Sequence, residues 1–143
     1  MGNVRGVGID LVKISELRDL DQRTKGAFLR RSFTEQERQD AASAQDPYVF
    51  YAGRFAVKEA VFKAVAHLTE EKTFDFRMVE TKRLPDGSPR VVIGDGLEPF
   101  LKKAGIDDVL ISISNEGEYA VAIAEAISWE ASCMKERSSK KEE

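Results

Sequence analysis

The segment GRFAVKEAVFK, residues 53–63, carries Arg54, Lys58, Glu59 and Lys63 in a stretch with helical spacing. Glu59 and Lys63 are four apart, so they share one edge of a helix, with Lys58 beside them at the margin of the apolar face. Arg54 falls on the face of Val57 and Val61, which otherwise reads as core. An arginine placed there is costly unless an anion meets it. Far upstream, VRGVGIDL reads as a short buried strand that includes Gly6 and Gly8 and carries Asp10 near its end. Glycine inside a strand marks a place where another backbone or a ligand comes close. Two carboxylates from different elements, Asp10 and Glu59, together with a phosphate and waters, can complete the octahedron of Mg2+. Arg54, Lys58 and Lys63 would then meet phosphate oxygens and neutralise the charge that builds on a leaving phosphate. The spacing also admits a plainer reading. Glu59 with Lys63 could be an ion pair, worth about 0.3–0.5 kcal/mol, and Arg54 beside Lys58 solvated charges on the same wet helix face.

The elements that must position these groups can be read in turn. Residues 13–31 are helical in composition but broken near Lys25 and Gly26. Thr34 and Glu37 form a capping box that should open a helix ending near Ser43. Asp46-Pro47 supplies an N-cap acceptor and a proline at the first helical position. The helix it opens should run to about Leu68, with Val57, Val61, Ala64, Val65 and Leu68 facing the core. Phe74, Phe76 and Met78 alternate as in a strand, and Pro85-Asp86-Gly87 turns it back onto residues 90–93. A helix over residues 97–104 should stop at Gly105. Strands over 108–114 and 119–127 should close the chain's ordered part. That order predicts an α+β fold, a mainly antiparallel sheet packed on a long central helix, forming one domain over residues 1–127. Residues 128–143 read as a charged C-terminal tail.

Composition narrows the chemistry further. A single histidine, His67, and a single cysteine, Cys133, exclude a zinc site of soft ligands and a disulfide framework. Carboxylates, lysines and arginines are what remain. A net charge of −3 argues against nucleic acid and against an anionic membrane as partners. No apolar run approaches the roughly 20 residues of a spanning helix, and no basic-then-apolar leader opens the chain. A cytoplasmic location is therefore expected. Residues 11–31 are locally basic, with six Lys or Arg side chains against three acids. That is either a solvated helix face or a docking surface for an acidic protein.

Four stretches in this order resemble one known family: GVGIDLVKISEL (6–17), FTEQE (33–37), GRFAVKEAVFKA (53–64) and SISNEGEYAVA (112–122). The chain is similar in these to the holo-acyl-carrier-protein synthases, the small bacterial class of phosphopantetheinyl transferases. The resemblance implies Mg2+-dependent transfer of phosphopantetheine from coenzyme A to a serine of apo acyl carrier protein, with adenosine 3′,5′-bisphosphate as the second product. It implies that Asp10 and Glu59 hold the metal and that Lys63 contacts the phosphates. Arg54 and Lys58 would help bind the coenzyme. Glu59 is also the candidate for taking the serine proton. A homotrimer with sites at subunit interfaces is implied, as is docking of the acidic carrier around Lys13 and Arg18. Two positions depart from the family's pattern. Asn115 stands where a histidine is general; it can still donate to phosphate but cannot carry charge. The segment 67–72 also lacks the usual glycine-rich turn. These departures keep an alternative open, a catalytically impaired homologue that binds carrier protein or coenzyme A.

Overall fold

A computed structural model describes residues 2–71 and 73–129. Strand β1 (Gly2–Lys13) opens the chain, and the helices α1 (Ile14–Arg23), α2 (Ala27–Ser32), α3 (Glu35–Ala42) and α4 (Pro47–Val65) follow. The hairpin β2 (Glu80–Arg83) and β3 (Pro89–Val92) comes next, then α5 (Leu97–Lys103) and the strands β4 (Asp108–Glu116) and β5 (Tyr119–Trp129). β5 is the centre of an antiparallel sheet ordered β1–β5–β4, while β2 and β3 form a separate two-stranded sheet. The expected α+β class and antiparallel sheet are what the chain adopts.

Local chemistry sets the helix boundaries. Asp46 Oδ1 accepts from the N–H groups of Tyr48 and Val49, and Pro47 occupies the first turn of α4. Thr34 and Glu37 complete the capping box of α3 in both directions. The break after α1 comes where Lys25 and Gly26 both take positive φ, 52° and 83°. α4 ends at Val65 and tightens into a 3-10 turn through Leu68, a little short of the expected length.

The sheet's inner face is built from small residues so that α4 can approach it. Ala120, Ala122, Ala124 and Ala126 of β5 are buried against the helix. A Cβ at Gly8 would lie 1.8 Å from the carbonyl oxygen of Ala60, and one at Gly6 would lie 1.9 Å from that of Ala64. Only glycine permits that spacing, and helix backbone therefore rides on strand backbone. Side chains alternate along a strand, so Asp10 is the next position after Gly6 and Gly8 on this same face. The outer face is different. Val7, Ile9 and Leu11 of β1 are exposed there, as are Ile123 and Leu110 on the neighbouring strands.

One expectation fails here. The alternating run from Phe74 to Met78 is not a strand; residues Phe76–Met78 form a 3-10 turn, and the hairpin strand starts at Glu80. Asp75 caps that turn by accepting from Arg77 N–H. Phe74 and Phe76 pack in an aromatic cluster with Phe62, Phe100 and Phe55. Their spacing serves that cluster rather than a pleat. β5 extends to Trp129, past the expected limit of 127, and most of the C-terminal tail lies outside the described residues.

Candidate active site

Asp10 and Glu59 line one cleft of about 320 Å³ with Lys13, Glu16, Leu17, Phe28 and Phe55 among its walls. Lys63 reaches over from the next turn of α4: its Nζ donates to Asp10 Oδ1 at 2.9 Å and to Ile9 O at 3.1 Å. The Asp10 side chain is 17% exposed and that of Lys63 49%, so the pair sits at the cleft's mouth rather than in the core. Lys63 thus turns to β1 and not simply to its helical neighbour Glu59, as the wet-face reading of the spacing had it. Burial raises the Glu59 carboxyl above its ordinary value, and the charge of Asp10 raises it further, against a lowering by Lys63. Two acids crowded in a half-dry cleft are the environment a cation would relieve.

The donor set suits a hard cation. Among the described residues no group of three or more His, Cys, Asp or Glu side chains is arranged to enclose a metal. Asp10 and Glu59 offer two carboxylates, and the rest of a coordination shell would have to come from waters and ligand oxygens. That is how Mg2+ is commonly held, through one or two carboxylates plus substrate phosphates.

Lys58 is placed elsewhere. The expectation set it at the margin of the helix, with its amine toward coenzyme phosphates; it is instead fully buried. Its ammonium donates to Glu37 Oε1 at 2.8 Å, Phe76 O at 2.8 Å and Val79 O at 2.6 Å. Three acceptors use all three donors of an ammonium, leaving none for a phosphate. Burial pushes Glu37 up and Lys58 down, while their contact pulls each back toward its charged form. The three-acceptor geometry is that of the charged lysine. In the sequence Glu37 reads as the N3 residue of a capping box and as the end of the FTEQE stretch. In the fold one oxygen, Oε1, serves both the Thr34 N–H and Lys58, a tertiary contact that no local pattern announces.

Arg54 and Asn115 belong to a second cleft, of about 380 Å³, lined also by Phe50, Gly53, Arg83 and Ile113. Arg54 is buried on the core side of α4 as its angle predicts, 7% exposed, with its guanidinium 4.7 Å from the Phe50 ring centre. Its Nε has no hydrogen-bond partner among the described residues. Burial lowers the guanidinium's proton affinity, and the neighbouring charge of Arg83 lowers it further. Arg83 was not among the expected site residues. A single chain therefore divides the expected residues into three places: Asp10, Glu59 and Lys63 together, Arg54 with Asn115, and Lys58 inside.

On α1, Arg18 lies 5.1 Å from the ring centre of Tyr48, whose hydroxyl donates to Asp21 at 2.6 Å. Lys13 stands at the cleft wall, 4.0 Å from Glu118. No described helix is long and apolar enough to cross a membrane.

Comparison with known proteins gives the family and the fold. Residues 6–124 match the family model of the 4′-phosphopantetheinyl transferase superfamily. The chain is 39% identical over 124 residues to a holo-[acyl-carrier-protein] synthase of Desulforudis audaxviator, covering 87% of this chain and 93% of that one. The crystal structure of the holo-[acyl-carrier-protein] synthase of Neisseria meningitidis superposes with a TM-score of 0.78 at 29% identity, over 87% of this chain and 98% of that one. A holo-(acyl-carrier-protein) synthase of Bacillus anthracis, solved in complex with CoA (3′,5′-ADP), has a TM-score of 0.69 at 29% identity, over 88% and 98% of the two chains. The chain belongs to the 4′-phosphopantetheinyl transferase superfamily, among its holo-acyl-carrier-protein synthases, and is an enzyme of that class.

Proposed function

We propose that this protein transfers 4′-phosphopantetheine from coenzyme A to a serine hydroxyl of apo acyl carrier protein in a Mg2+-dependent reaction. The other product is adenosine 3′,5′-bisphosphate. The observation that carries the reading is the junction of β1 and α4, where Asp10 and Glu59 line one cleft and Lys63 pairs with Asp10. Asp10 and Glu59 would hold Mg2+, which when bound supplies positive charge to the diphosphate. Lys63, half exposed and held by Asp10 and the Ile9 carbonyl, has a third N–H to offer the phosphate oxygens. In the transfer, the serine oxygen bonds to the β-phosphorus and the bond from that phosphorus to the bridging oxygen breaks. The electron pair leaves with the bisphosphate. Glu59 accepts the serine proton, directly or through water.

Arg54 and Asn115, with Arg83, would bind the outer phosphate and adenosine end of the coenzyme. Their distance from the Asp10 cleft in one chain supports a homotrimer, in which the second cleft of one copy meets the first cleft of its neighbour. The exposed apolar stripe of Val7, Ile9, Leu11 and Ile123 supports the same assembly, since an unpaired face of this kind suits burial between copies. Lys13 and Arg18 would steer the acidic carrier to the cleft. A cytoplasmic setting goes with this reading.

The test is direct. Apo acyl carrier protein incubated with the protein, coenzyme A and Mg2+ should gain the mass of one phosphopantetheine on its serine. Coenzyme binding with no mass gain would favour the impaired homologue, a reading that the uncharged Asn115 motivates.

A further inference from the structure

Glu37 and Lys58 form a buried charge pair directly behind the cleft, with side chains 2% and 0% exposed. Such a pair is a weak source of stability, because removing two charges from water offsets much of their attraction. Glu37 Oε2 has no hydrogen-bond partner among the described residues. What the pair does is tie three elements together at one ammonium: α3 through Glu37, α4 through Lys58 itself, and the 76–79 segment through the carbonyls of Phe76 and Val79. The same segment carries the Phe76 ring, which meets Phe55 edge-on at 5.5 Å, and Phe55 meets Phe28 at 5.2 Å. Phe28 and Phe55 are walls of the cleft that holds Asp10 and Glu59. Lys58 also immediately precedes Glu59, so any rotation of α4 that breaks the tie swings Glu59 by the same angle.

We infer that Glu37 is a positioning residue for this cleft: through Lys58 it locks the rotation of α4 and the Phe55 wall, and so fixes where the Glu59 carboxylate stands. The inference rests on the reading of the cleft as the site for Mg2+ and the coenzyme diphosphate. It separates two properties that a merely structural pair would keep together, stability and metal binding.

The test uses two variants with opposite expectations. Glu37→Gln keeps an oxygen acceptor for Lys58 and the Thr34 N–H but leaves the lysine charge uncompensated. It should be the less stable variant and yet remain positioned. The double variant Glu37→Leu/Lys58→Met removes both charges at similar volume but leaves the Phe76 and Val79 carbonyls and the Thr34 N–H without that partner, so its stability should fall below the parent's yet lie at or above that of Glu37→Gln. It has lost the tie. Titration calorimetry of Mg2+ into protein with coenzyme A should give a dissociation constant for Glu37→Gln within about threefold of the parent, and for the double variant at least about tenfold weaker. Transferase kcat/KM should fall in the same order. Should either variant fail to fold, Thr34→Ala, which removes the hydroxyl that accepts from the Glu37 N–H and donates to Glu80, loosens the start of α3 that carries Glu37 and should weaken Mg2+ binding severalfold. Metal binding that tracks stability instead, with the double variant or Thr34→Ala unchanged from the parent, overturns the inference. A parent protein that binds neither Mg2+ nor coenzyme A would defeat the reading of the site itself.

Discussion

Gly8 of β1 lies against Ala60 of α4 so closely that a Cβ on Gly8 would come within 1.8 Å of the Ala60 carbonyl oxygen. This backbone-to-backbone approach brings the end of β1 to the edge of α4, and with it Asp10 to Lys63 and Glu59. Replacing Gly8 by alanine must push strand and helix apart. We expect Gly8→Ala to lower unfolding stability by about 3 kcal/mol or more, an overpacking cost at the upper end of the usual range. Gly94→Ala, where nothing lies within 4 Å of the added methyl, is the control and should shift the denaturation midpoint little.

Lys63 and Asp10 should matter to turnover more than to folding. Their ion pair is partly exposed, and such pairs contribute on the order of 1 kcal/mol or less. Lys63→Ala should therefore unfold close to the parent midpoint while losing roughly 100-fold in kcat, the scale for removing one donor that meets developing charge. Steady-state kinetics at saturating Mg2+, run beside a urea titration, checks both halves.

The crowding of Glu59 predicts a stability gain in the metal-free protein. Its folded-state carboxyl holds a proton more tightly than the unfolded chain does, because of burial and then Asp10. The folded state is thus favoured by this group at acid pH, and that contribution is lost as pH rises through the raised value. Glu59→Gln should then be more stable than the parent at pH 7 without Mg2+, and the difference should shrink as pH falls below the ordinary carboxylate range. Thermal denaturation at several pH values in chelator measures it. With Mg2+ and substrates present, the same variant should lose most of its turnover.

Carrier docking gives a prediction in a different observable. Reversing charge at Lys13 and Arg18 should raise the carrier's KM steeply and leave coenzyme binding unchanged. In the parent, KM for the carrier should rise with ionic strength, as expected where exposed charges are screened over about 10 Å at 0.1 M salt. An unaltered KM in the variant would make those side chains ordinary solvated surface.

Much of this architecture was legible in residue order, because its signals are local. Asp46-Pro47, the Thr34–Glu37 box and Gly105 are punctuation that acts within one turn of chain. The convergence of Asp10 and Glu59 could be anticipated from Gly6 and Gly8, since glycines on one strand face announce a close neighbour. What local reading missed depends on distant partners. Lys58 looked marginal by helical angle because nothing nearby reveals that Glu37, Phe76 and Val79 would enclose it. The Phe74–Met78 run imitated a strand because aromatic rings clustering around α4 and α5 reproduce a period of two. Arg83 has no signal of its own; only folding sets it in one cleft with Arg54 and Asn115.

The central claim is that one divalent ion is shared by an acid on β1 and an acid on α4. A crystal grown with coenzyme A and Mn2+ in place of Mg2+ would show it by anomalous scattering. The account predicts one metal peak bridging carboxylate oxygens of Asp10 and Glu59, each at roughly 2.1–2.2 Å (Mn2+ standing in for the 2.0–2.1 Å of Mg2+) with a diphosphate oxygen also in its shell. A metal bound away from both carboxylates, or a diphosphate seated in the protein with neither acid near its ion, would contradict it.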